Sequence, residues 1–139
     1  MIDGEGVMTG GCLCGGVRYE SRGAPFAQLV CHCRDCQRAS GTGGVPIVAV
    51  PKSGFRVTGE TKSFAIEGSS GKHAVRNFCP HCGSLLFGTP EVAPHMVTIY
   101  VGSLDDSRAF APRFAQFART KAAWCGAAIP EHETMPPRR

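Results

Sequence analysis

The chain has 139 residues, a length that fits one domain. Eighteen Gly and 10 Pro make up about a fifth of it, which leaves few stretches able to run as uninterrupted helix and excludes a helical bundle; 42% hydrophobic residues supply enough core to exclude wholesale disorder. No apolar run approaches the ~18 residues needed to span a bilayer, and the opening Met1-Ile2-Asp3-Gly4-Glu5-Gly6 has neither a basic nor an apolar region of an export signal, so a cytoplasmic protein without a membrane partner is expected.

In chain order, residues 1–9 read as a flexible N-terminus, 10–129 as a single domain, and 130–139 as a Pro-rich, loose tail. Short strands separated by Gly, Pro and Ser clusters are expected at 17–20, 28–30, 45–50, 55–58, 61–66, 74–78, 85–87, 96–101 and 114–118, with a last extended segment around Trp124. Pro46 favours an edge position for the strand at 45–50, or its first residue. Residues 34–40 have room for about two helical turns, closed by Gly41, and form the one short helix expected.

Seven of the eight Cys fall in three tight groups: Cys12-x-Cys14, Cys31-x-Cys33-x-x-Cys36 and Cys79-x-x-Cys82, with Cys125 alone. In a reducing compartment, spacings of one or two residues suit a shared metal better than disulfides. A Cys-x-x-Cys knuckle brings two sulfurs to one ion, and a Cys-x-Cys pair on an extended strand puts both side chains on one face, so Cys79 and Cys82 with Cys12 and Cys14 make a closed, structural zinc site. An exchange of half-sites with the middle triplet is the other arrangement these spacings allow.

Cys31, Cys33 and Cys36 then form a three-ligand site with one position open for water or substrate. Against this stand a second structural site completed by His32, His73, His81 or Cys125, and a triplet holding no metal; His81 reads as a solvent-facing knuckle residue. Two zinc ions add four positive charges and seven thiolates remove seven, so the formal +4 falls to about +1 and a nucleic-acid partner is not expected. Arg34, Arg38 and Ser40 lie beside the triplet; Arg38 and Ser40 are the candidate substrate contacts, Arg38 for a carboxylate. Cys125 reads as an inert buried thiol and Trp124 as a core or loop-packing residue. No Ser-His-Asp set, phosphate-binding Gly loop or dinucleotide fingerprint is present.

The run Gly11-Cys12-Leu13-Cys14-Gly15-Gly16, then Cys31-His32-Cys33-Arg34-Asp35-Cys36-Gln37-Arg38-Ala39-Ser40-Gly41, Phe78-Cys79-Pro80-His81-Cys82-Gly83-Ser84 and Gly102-Ser103-Leu104-Asp105 resembles the glutathione-dependent formaldehyde-activating enzyme family, which includes centromere protein V. The resemblance covers about residues 10 to 125. It implies a mainly β, zinc-stabilised fold of several small coiled antiparallel sheets, a β-tent. It also implies a structural zinc on Cys12, Cys14, Cys79 and Cys82, and an active-site zinc on Cys31, Cys33 and Cys36. The activity implied joins formaldehyde to the thiol of glutathione as S-hydroxymethylglutathione, a carbon–sulfur lyase in reverse. Ala115 departs from the pattern, standing where a His often precedes the Trp by nine residues. A zinc-stabilised protein-binding module without catalysis is the alternative, and the two readings part at the triplet, since only the enzyme needs an exchangeable fourth position.

Overall fold

The structure, a computed structural model, describes residues 6–138. The strands are β1 (Val7–Gly11), β2 (Arg18–Arg22), β3 (Ala27–Cys31), β4 (Val45–Pro51), β5 (Phe55–Thr58), β6 (Lys62–Glu67), β7 (His73–Phe78), β8 (Leu85–Gly88), β9 (Met96–Tyr100) and β10 (Phe114–Gln116). The α-helix of the described residues is α1 (Arg34–Ser40). β1, β2 and β5 form a three-stranded antiparallel sheet; the other seven form a second sheet in the order β10-β3-β4-β9-β8-β7-β6. The expected mainly-β fold with one short helix is what the chain adopts. The antiparallel expectation needs one correction, because β10 runs parallel to β3 at the sheet edge.

The larger sheet is buried on two faces by different partners. Val48 and Val50 of β4, Leu86 and Phe87 of β8, and Val97 and Ile99 of β9 pack with Tyr19 and Phe55 of the smaller sheet and with Val17 just before β2. Alternation along β4 turns Val45 and Ile47 the other way, where they meet Leu29, Cys31, Tyr100 and Cys36 of α1. A strand covered on both sides reads as a continuous apolar run, which is why 45–50 lacks a polar alternation.

α1 begins and ends where its sequence says. Cys33 is the N-cap, its Sγ accepting from Cys36 N at 3.3 Å, and Gly41 closes the helix at φ 68°, its N–H donating to Gln37 O. Seven residues do not hold a helix alone, so burial of Cys36 and Gln37 supports it.

Several expectations are corrected. β1 begins at Val7, so the boundary expected at residue 10 falls inside a strand; residues 1–5 and Arg139, at the two expected loose ends, lie outside the described residues. Pro46 is the second residue of an inner strand, tolerated because β4 pairs with β9 only from Ile47 onward and leaves Pro46 opposite Val30 of β3 alone. β5 and β6, adjacent in sequence, belong to different sheets. Trp124 lies in a turn rather than an extended segment. No helix among the described residues is long and apolar enough to cross a membrane.

Leu86, fully buried between the sheets, tests this layering. Leu86→Ala should lower the unfolding free energy of the metal-loaded protein by about 2–5 kcal/mol, read from the urea midpoint at unchanged slope.

Candidate metal centres

The first cluster joins two turns 65 residues apart. After β1 the chain bends at Cys12-Leu13-Cys14-Gly15, Gly15 N donating to Cys12 O at 3.1 Å. The two sulfurs therefore converge through a turn and not, as expected, on one face of a strand; Cys12 and Cys14 Sγ lie 3.5 Å apart. The second turn is the knuckle between β7 and β8, in which Cys79 N donates to Ser84 O and Cys82 N points at Cys79 Sγ. Cys14 Sγ is 3.8 Å from Cys79 Sγ, and the four ligand sulfurs all lie within 4.8 Å of one another. A tetrahedral ion with bonds of about 2.3 Å separates its sulfurs by roughly 3.8 Å, so the set fits zinc. Val17 N–H donates to Cys12 Sγ, and the Ser84 hydroxyl beside Cys82 holds that thiol down at about 5. Asp105 fastens the neighbouring loop, taking Arg18 and the Thr9 hydroxyl, and the Arg18 guanidinium holds its carboxyl down at about 2.

The second cluster comes from the end of β3 and the start of α1. Cys31, Cys33 and Cys36 Sγ lie within 4.8 Å of one another, and no other His, Cys, Asp or Glu among the described residues joins them. Cys31 and Cys36 are buried and Cys33 is half-exposed. A hydrogen bond with the Cys36 thiol holds Cys31 down at about 5; the same bond, with burial, pushes Cys36 up. The His residues weighed as a fourth ligand are elsewhere: His32 is buried with Nδ1 on Gly43 O at 3.0 Å, His73 pairs with Glu91, and His81 is exposed as expected. Cys125 is half-buried near Gly43, where an added Cβ would press on the exposed Trp124 ring at 2.6 Å.

Polar groups not singled out in the sequence hold the triplet's loop. Buried Gln37 donates from Nε2 to His32 O at 2.7 Å and Thr120 O at 3.0 Å, Thr120 Oγ1 donates to His32 O, and His32 N donates to Gln116 O. Arg34 spends a guanidinium N–H on Gln37 Oε1 at 2.6 Å. Arg38 is exposed at the last turn of α1, and the Ser40 hydroxyl donates to Cys36 O at 2.8 Å while lining the adjoining cleft. That cleft, of about 370 Å³, shares Val45, Leu85 and Tyr100 with the apolar cluster around the three sulfurs and has no charged residue in its lining. Arg76 of β7 also reaches the triplet, Nη2 donating to Cys36 Sγ at 3.5 Å. Its sequence signal was alternation, which puts Arg76 on one face of β7 with Ala74 and Phe78.

Fold and sites together define a small mainly-β protein with two cysteine clusters of metal-ligand geometry, one of four sulfurs and one of three. The sequence model of the glutathione-dependent formaldehyde-activating enzyme family matches residues 7–120, most of the chain, and the protein belongs to that family. Among solved structures the fold is similar to that of a Rhodobacter sphaeroides protein, with a TM-score of 0.60 and 20% identity over 78% of this chain and 99% of that one. No curated protein matches the chain significantly.

If both clusters bind zinc, the purified protein carries about two ions per chain and Cys33→Ser about one, measured by elemental analysis. Equal content in the two proteins contradicts this. The clusters should also differ in structural weight: Cys79→Ser should abolish the cooperative unfolding transition, whereas Cys36→Ser should keep it.

Proposed function

We propose that the protein is a zinc-dependent enzyme acting on carbon–sulfur bonds of thiol adducts, of the carbon–sulfur lyase type, which interconverts glutathione plus formaldehyde with S-hydroxymethylglutathione. The observation that carries this reading is the inequality of the two clusters. Four sulfurs complete a tetrahedral ion, while three, with no fourth ligand type among the described residues, leave room for one exchangeable partner. Cys12, Cys14, Cys79 and Cys82 are assigned to a structural zinc and Cys31, Cys33 and Cys36 to the zinc of the active site. A zinc held there supplies Lewis-acid chemistry, lowering the pKa of a thiol or polarising an aldehyde oxygen.

In the forward direction a sulfur lone pair attacks the carbonyl carbon, the carbon–sulfur bond forms, and the carbonyl π pair moves to oxygen. The thiol proton is lost from sulfur and a proton is gained by the new hydroxyl, with no net oxidation. The protein's share is positional: the half-exposed Cys33 side of the cluster admits the thiol, and the packed side chains of Val45, Leu85 and Tyr100 cover the sulfurs on the buried side. Ser40 at the cleft and Arg38 on the exposed face of α1 are the substrate contacts in this reading, Arg38 meeting a glutathione carboxylate. Cysteines that form no disulfide among the described residues suit a reducing compartment, which supports a cytoplasmic site of action.

Thiols add to formaldehyde unaided, so the test compares proteins rather than reads turnover alone. NMR exchange spectroscopy of glutathione, formaldehyde and their adduct at fixed pH should show faster exchange with the wild-type protein and with Cys125→Ser, and no acceleration with Cys33→Ser. Wild-type and Cys33→Ser rates that coincide would remove the enzyme reading in favour of a binding module.

A further inference from the structure

Arg76 is 8% exposed, an unusual burial for a guanidinium, and carboxylates do not explain it: its hydrogen-bond partner is the sulfur of Cys36, and its Nε–H has no partner among the described residues. A buried charge left so thinly paired is costly unless something else is meant to meet it. The ladder around it is tightly packed. Arg76 stands opposite Gly88 in the β7–β8 ladder, and a Cβ on Gly88 would collide with Thr98 Oγ1 and lie 3.3 Å from Tyr100 Oη. Tyr100, in turn, belongs to the apolar cluster that holds Cys31 and Cys36 and lines the cleft.

Charge decides what this position does. Three thiolates around a divalent ion carry a net charge of −1, and a thiolate arriving at the fourth position would raise it to −2 in a partly buried setting. We propose that Arg76 is a positioning residue of the triplet, a fixed cation that cancels the excess charge of the metal site through Cys36. The inference rests on the reading of the triplet as an open metal site. It adds a bias: an incoming thiolate meets a neutral assembly instead of a negative one, so the anionic form of the thiol is penalised less at the fourth position.

The test uses the full-length protein loaded with cobalt, with Arg76→Met and Arg76→Gln removing the charge and Arg76→Lys keeping it. Far-UV circular dichroism and retention of the tightly held metal establish that each is folded. Removing the charge should weaken retention of the triplet's metal against a chelator, and weaken 2-mercaptoethanol binding read from the cobalt–thiolate absorption bands, each by about 10-fold. Arg76→Lys should recover most of both. Flat affinities across the series overturn the proposal, and so does a lysine variant as weak as the methionine one, since that is the behaviour of a packing residue. If the neutral variants do not fold, the lysine variant decides: thiol affinity near wild type supports the charge role, and a 10-fold loss refutes it. The metal-retention arm needs no catalysis. A wild-type protein that fails to accelerate adduct exchange while the series keeps its order removes the reaction and leaves the charge role, and the converse pattern does the reverse.

Discussion

The structure depends on bringing thiol groups closer together than their charged forms tolerate. Four sulfurs within 4.8 Å of one another, two of the pairs at 3.5 and 3.8 Å, repel as thiolates and are stable together only around a cation. The four-sulfur cluster carries the larger topological burden, because it ties the turn after β1 to the knuckle between β7 and β8. Closing a loop of 65 residues costs about 4 kcal/mol of chain entropy. A structural zinc held there would contribute on the order of 10–16 kcal/mol, enough to outweigh that cost by a wide margin and to join the two sheets.

The triplet has the opposite character, for its three sulfurs are local in sequence and close no long loop. What positions them is neutral and protein-made: the end of β3 in a sheet, α1 capped by Cys33 itself, and a buried amide, Gln37, that ties the loop at His32 to Thr120 near the end of the family match. The parallel strand β10 exists to the same end, since its pairing lays Gln116 beside Cys31 and delivers the following chain to His32. Trp124 then covers Gly43 in the loop after α1. These neutral hydrogen bonds, with the guanidinium of Arg76 on Cys36 Sγ, hold the triplet's loop through contacts that do not involve a metal.

Much of this is legible in the sequence because the signals are local. Gly41 and the Cys33 spacing mark both ends of α1, and the strands around the second knuckle follow from Cys79-Pro80-His81-Cys82-Gly83. What escaped depends on distant chain. β1 is hidden by Gly10 and Gly11, yet Gly10 is required there: a Cβ at that position would strike the Tyr19 ring and Ser103 O. Pro46 argues for an edge strand by its missing N–H, and only the offset of β9 makes it harmless inside the sheet. The Cys12-Leu13-Cys14 spacing suits a strand face equally well, and the turn is set by the knuckle it must meet. Arg76 carries no motif of its own; its meaning comes from a sulfur 40 residues away.

The proposed chemistry requires one position open at the triplet and none at the four-sulfur site. Zinc X-ray absorption on the two-zinc protein measures this directly. It should find an average of about 3.5 sulfurs per zinc with a light-atom neighbour making up the shell, rising toward four when a thiol is added. Four sulfurs per zinc before any thiol is present, or a shell that a thiol leaves unchanged, would contradict it.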